Sequence, residues 1–200
     1  MDRNEKKNKR KKWLILCLAL CILFVACIMV FQVKGRQQMV KWTMKEPVNY
    51  DKSIVQGIEQ LWENDMDVVF WQENKSETVI NLDYNRSVEV KTMGIAGDAS
   101  VLFPDSNRLT AGETGYCILG TDTAWQLFGS TRIIGRSVQI NGETYQVAGI
   151  EYQDKKLCVY ELAPDRNQEI AYAAIHFKNR QQLEMDKHKL EMIMDISLCE

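Results

Sequence analysis

Side chains able to do chemistry are sparse in this 200-residue sequence, and their spacing does not gather them. The two histidines, His176 and His188, fall in different elements: a strand-like run, Ala174-Ile-His-Phe-Lys178, and a polar helical stretch, Asp186-Lys-His-Lys189. No serine or cysteine sits in a strand–turn–helix nucleophile elbow, and no His-Glu-x-x-His occurs, so neither acyl transfer nor zinc hydrolysis is indicated. Asp83, Glu89, Asp98, Asp105 and Glu113 are available for acid–base work, but no spacing singles out a pair. The glycine-containing loops at Gly112–Gly115 and Gly129–Gly135 lack the Lys-Ser/Thr ending of a phosphate-binding loop. The sequence therefore predicts no catalytic residue, no cofactor and no metal site. The expectation is a protein that is not an enzyme.

The six cysteines divide evenly. Cys17, Cys21 and Cys27 lie within an apolar run, while Cys117, Cys158 and Cys199 lie beyond it without any Cys-x-x-Cys spacing, which argues against a metal. Cys117 and Cys158 both stand in strand-like runs. They suit either a disulfide, whose loop closure stabilises by roughly 4 kcal/mol, or two buried thiols.

Charge is unevenly placed. Residues 1–12 hold seven of the 25 basic groups and two of the 27 acidic ones, which leaves the rest of the chain acidic at −7. An acidic body excludes nucleic acid as a partner, because phosphate neutralisation needs a basic face. Behind the basic arm, Trp13 to Phe31 contains no charge, glycine or proline; with Gln32 and Val33 it gives 21 residues, or roughly 31 Å of helix at ~1.5 Å per residue. The expectation is a single transmembrane helix over 13–33 in the lipid bilayer, with the basic arm 1–12 cytoplasmic. A connector over 34–48 and one extracytoplasmic domain over 49–200 would follow. Phe24-Val-Ala-Cys27 also resembles a lipoprotein cleavage box, but the apolar Ile-Met-Val-Phe behind it suits an uninterrupted helix better.

Hydrophobic periodicity sets the elements of that domain. Lys34 to Lys45 reads as a polar continuation of the helix or a connector, ended by Pro47. Asn49 or Asp51 can cap a helix reaching Asn64, with Ile54, Ile58 and Leu61 at helical spacing. Strands are expected at Asp67–Trp71, Thr78–Leu82, Ser87–Met93, Tyr116–Gly120, Leu157–Tyr160 and Ile170–Phe177. Thr121 or Asp122 should cap a short helix ending at Gly129, and a last helix should run from Arg180 to about Ile196. Asn141-Gly142 between the alternating arms Val138–Ile140 and Tyr145–Val147 is a strong type I′ hairpin signal, because such a turn needs positive φ at both residues. The fold class expected is α+β: one transmembrane helix followed by one mixed α+β domain with a β-hairpin.

The stretch from Gly115 to Ile150 resembles the extracytoplasmic core domain of MacB/FtsX-type ABC transporter permeases. Gly120, Leu127, Phe128, Gly129, Gly135, Asn141, Gly142, Tyr145, Val147 and Gly149 lie on the family's strand, short helix and hairpin pattern. The family continues into further transmembrane helices, whereas this chain shows no second apolar run of 18 residues. The resemblance implies an anchored permease-like or accessory component, working with a multi-span ABC permease subunit and a cytoplasmic ABC ATPase. A stand-alone envelope binding or sensor module using the same fold is the alternative. Partner contacts are expected on the loop over 99–116, at Asp105, Asn107 and Arg108, and on the wet faces of the hairpin.

Overall fold

The computed structural model describes residues 38–72, 75–104, 109, 114–164, 166–177 and 180–199. Ten strands form one continuous sheet: β1 (Gln38–Tyr50), β2 (Val68–Trp71), β3 (Lys75–Asn81), β4 (Arg86–Gly97), β5 (Tyr116–Gly120), β6 (Ser137–Ile140), β7 (Glu143–Glu151), β8 (Leu157–Glu161), β9 (Gln168–Phe177) and β10 (Leu198–Cys199). Among the described residues three α-helices accompany them: α1 (Lys52–Glu63), α2 (Thr121–Phe128) and α3 (Arg180–Met194).

The order β10-β1-β9-β2-β4-β3-β6-β7-β5-β8, with an added β4–β8 pairing, divides the sheet into two parts. Strands β4, β3, β6, β7, β5 and β8 close on themselves as a six-stranded barrel. Strands β10, β1, β9 and β2 form an open antiparallel sheet that joins the barrel through β4. The long strand β4 serves both parts, pairing with β2 at Ile95–Gly97 and with β8 in parallel at Lys91–Ile95.

Burial follows strand alternation. Every side chain of β2 is buried, as a strand covered on both faces requires. Phe70 joins Trp42, Ala173 and Ile175 beneath α1 and α3, which contribute Ile54, Ile58, Leu61, Leu190 and Met194. Val69 and Trp71 point the other way, into a smaller cluster with Ile95, Val101, Ile118 and Ala174. The barrel interior holds Val79, Val90, Cys117, Leu119, Ile140, Tyr145 and Val147.

Local chemistry explains the ends of the elements. Asp51 caps α1, its side chain accepting from the backbone N–H groups of Ser53 and Ile54. Hydrogen bonds from Ser53 and the Ile54 backbone hold its carboxyl below the usual range. At α2 neither Thr121 nor Asp122 is the cap. That position is Gly120, and the backbone N–H groups of Asp122 and Thr123 donate to the Lys155 carbonyl at 2.9 and 3.2 Å. A Cβ on Gly120 would lie 2.4 Å from that carbonyl oxygen, so glycine is what allows the β7–β8 turn to cap the helix. The hairpin forms as its sequence predicts, with φ of 53° at Asn141 and 82° at Gly142.

Two expectations are corrected. Residues from Gln38 onward, read as helix continuation or connector, form β1; Pro47 lies in a break of the β1–β9 register between Thr43 and Val48, where its missing N–H costs no ladder bond. The transmembrane helix over 13–33 lies outside the described residues, and among those described no helix is long and apolar enough to cross a membrane. The fold class is therefore an α+β barrel domain, and no described helix supports a single-pass cell-membrane topology.

Candidate functional site

The end of the barrel opposite α2 opens into a cleft of about 480 Å³. Strand β3 runs from this mouth, at Lys75, to the plugged end, where the Asn81 side chain donates to the Leu127 carbonyl of α2 at 3.1 Å. Lys75 and Glu77 of β3, Tyr160 of β8 and Asn141 of the hairpin line the barrel side; Pro47, Gln168, Glu169 and Ala171 line the side of the open sheet. Barrel mouths of this size are common ligand sites.

Gln72, one residue past β2, forms the floor. Its backbone N–H donates to Gly94 O at 3.0 Å, and its side-chain Nε2 donates to the Tyr160 hydroxyl at 2.7 Å. Both residues are more than nine-tenths buried. A Cβ at Gly94 would stand 2.6 Å from Gln72 Nε2, so only glycine leaves the amide its path across β4. The Tyr160 hydroxyl accepts from Gln72 and donates to no described residue. Burial, then the charge of Glu77, pushes its phenol up to about 12, so it remains a donor at neutral pH.

Glu77 is held on both oxygens. The Thr92 hydroxyl donates to Oε2 at 2.9 Å and Asn141 Nδ2 donates to Oε1 at 2.8 Å. Each oxygen keeps a lone pair for a further donor. Neither Glu77 nor Lys75 forms an ion pair with any described residue. At the rim Arg166 pairs with Glu143, tying the hairpin to the β8–β9 turn that carries Asn167.

The mouth contains donors and acceptors but no activated nucleophile. Cys117 and Cys158, behind it in the barrel, are free and fully buried. Their thiol contact, then burial, pushes the Cys158 thiol well up. Burial, followed by the neighbouring Tyr160, likewise raises Tyr145 to about 12. His176 lies in β9 and His188 is exposed on α3. Among the described residues no group of three or more His, Cys, Asp or Glu is placed to hold a metal ion.

The sequence-predicted residues are dispersed. Leu127, Tyr145 and Val147 are core, and half-buried Phe128 packs edge-on to Tyr84. Gly120 admits the turn that caps α2, Gly129 ends α2 in a left-handed conformation, and Gly135 also has positive φ. Gly149 faces Ile118 where the β5–β7 register shifts. Of these residues only Asn141 reaches the cleft, through Glu77. Asp105, Asn107 and Arg108 lie outside the described residues. Sequence reasoning missed Gln72, Lys75, Glu77 and Tyr160. The signal for the β3 pair was alternation, since Lys75 and Glu77 precede Val79 on one strand face and mark that face leaving the core.

No protein-family profile matches this sequence, and no curated protein matches it. Solved structures do. The extracellular domain of the noncanonical ABC-type transporter YknZ from Gram-positive bacteria superposes with a TM-score of 0.55 at 12% identity, covering 82% of this chain and 100% of that one. The periplasmic region of MacB from Actinobacillus actinomycetemcomitans gives 0.57 at 13% identity, covering 83% and 89%. The described domain thus has the fold of a MacB-type periplasmic core domain. At this level of identity the likeness establishes the fold alone.

Proposed function

We propose that this chain is a stand-alone binding or sensor module of the cell envelope, non-catalytic, with the barrel mouth as its recognition site. The observation that carries the reading is the buried Gln72–Tyr160 pair, which turns a phenolic donor toward a polar cleft beside the charges of Lys75 and Glu77, which form no ion pair with any described residue. The membrane-anchored accessory component expected from the sequence is corrected. It depended on a span at 13–33 that lies outside the described residues, and no described helix can replace it. Because transporter domains share the fold, an ABC permease with its ATPase is the protein partnership to test, with Asp105, Asn107 and Arg108 as contacts. The acidic body outside residues 1–12 keeps nucleic acid out of the reading.

The test is thermal unfolding of the full-length protein against a set of small polar compounds, run beside Tyr160→Phe. At least one compound should raise the wild-type midpoint by several degrees, as linkage requires of a ligand in excess of its Kd, and leave the variant unmoved. A compound set that moves neither protein overturns the reading.

A further inference from the structure

The lining of the mouth restricts what can occupy it. Among the described residues it contains no arginine and no helix N-terminus, the usual holders of phosphate. It also lacks an exposed aromatic face on which a sugar ring could lie. What it offers is amides from Gln72, Asn141, Asn167 and Gln168, carboxylates from Glu77 and Glu169, and one ammonium from Lys75.

Backbone edges add to these. Strand β3 pairs with β6 only at Val79 and Ile80, so the side of Lys75–Thr78 away from β4 meets no described strand. Strand β9 pairs with β1 through Gln168–Ile170, but β2 joins its other side only from Tyr172. The cleft therefore lies between two stretches of strand with open backbone, the setting in which an extended peptide adds main-chain hydrogen bonds.

Charge spacing sets the length of the occupant. Lys75 and Glu77 are two residues apart on one strand face, roughly 7 Å along the strand. An extended peptide advances about 3.3–3.6 Å per residue, so two residues span that separation.

We propose that the mouth binds a short zwitterionic peptide of dipeptide size, its α-ammonium on Glu77 and its α-carboxylate on Lys75. The Tyr160 hydroxyl donates to the peptide carbonyl between them. Thr92 and Asn141 fix the Glu77 carboxylate in advance, so little side-chain freedom is lost on binding. This inference rests on the binding-module reading above.

The test is isothermal titration of the full-length protein with L-alanyl-L-alanine, its N-acetyl derivative and its C-terminal amide. The free dipeptide should bind, and each blocked form should bind at least tenfold more weakly. Glu77→Gln should abolish the preference for the free amine, and Lys75→Gln the preference for the free acid, with circular dichroism and the thermal midpoint checking that each variant folds. The blocked ligands test the proposal on the wild type even if a variant does not fold. Equal affinity for free and acetylated dipeptide, or no binding of any form at millimolar concentration, overturns it. If the dipeptides fail while another compound raises the midpoint of the wild type and not of Tyr160→Phe, the peptide assignment falls and the binding module stands. If no compound does so, both fall.

Discussion

The side-chain amide of Gln72 donates to the hydroxyl of Tyr160 at 2.7 Å, joining the end of β2 to the barrel above Gly94. Three residues far apart in the chain thus form one unit, because the amide can cross β4 only where β4 carries no side chain.

Replacing Gly94 by alanine should disrupt that unit. The added methyl would meet Leu162 Cδ2 at 2.4 Å and Gln72 Nε2 at 2.6 Å. Overpacking of this kind costs about 1–3 kcal/mol, readable as a lower urea midpoint, and ligand binding at the mouth should weaken with it. A variant with wild-type stability and binding would refute the role given to Gly94.

Tyr160→Phe should cost about 1–3 kcal/mol, because the buried Gln72 amide loses its acceptor. Adding Gln72→Leu should recover part of that loss by removing the stranded donor. Urea unfolding of the two variants measures both effects, and additive losses would contradict the pairing.

Gly120 and Gly142 should respond differently to substitution. Gly120→Ala forces a methyl against the Lys155 and Asp154 carbonyls and withdraws the cap of α2; it should destabilise by about 1–3 kcal/mol. At Gly142 nothing lies within 4 Å of a Cβ, and the obstacle is φ of 82°. Gly142→Val should cost about 1–2 kcal/mol from left-handed strain, a loss that Gly142→Asn largely avoids. Denaturant curves for the three variants check the ranking.

The protein should lose stability in alkali. The phenols of Tyr145 and Tyr160 are each raised to about 12, and that of Tyr50 is raised too. Their folded pKa values lie above the unfolded value near 10. The stabilisation is therefore complete below pH ~10 and is lost as pH climbs through the folded values. Urea midpoints should be flat from pH 8 to about 9.5 and fall steeply beyond, with these phenolates appearing at 295 nm only on unfolding. A midpoint unchanged up to pH 11.5 would contradict this.

Alkylation at neutral pH, mapped by peptide mass, should modify Cys199 and spare Cys117 and Cys158 until denaturant is added. Cys199 is exposed, whereas the other two are buried and the Cys158 thiol is held protonated. Labelling of Cys158 in the folded protein would count against the packing of the barrel.

Most of the elements were legible because their signals are local. Asn141-Gly142 fixes its own turn, the alternation of Ser87–Met93 predicts a strand, and Ile54, Ile58 and Leu61 mark one face of a helix. The cap of α2 was not legible, since it comes from Lys155 in another turn and uses backbone rather than a side chain. β1 was hidden because its exposed lysines and Pro47 resemble a connector, and its partners β9 and β10 are remote in sequence. The cleft was invisible for a related reason. Gln72, Glu77, Asn141 and Tyr160 are unremarkable singly and meet only when the barrel closes.

The pairing of Gln38 with Phe177 dictates an order of events when the chain is made. β1 is among the first strands synthesised, and both of its partners are among the last. Until β9 and β10 are made, β1 has neither of its strand partners, and loop closure over so long a span is slow. The six barrel strands, β3 to β8, are all made before β9, so the ring can close while β1 still waits for both of its partners.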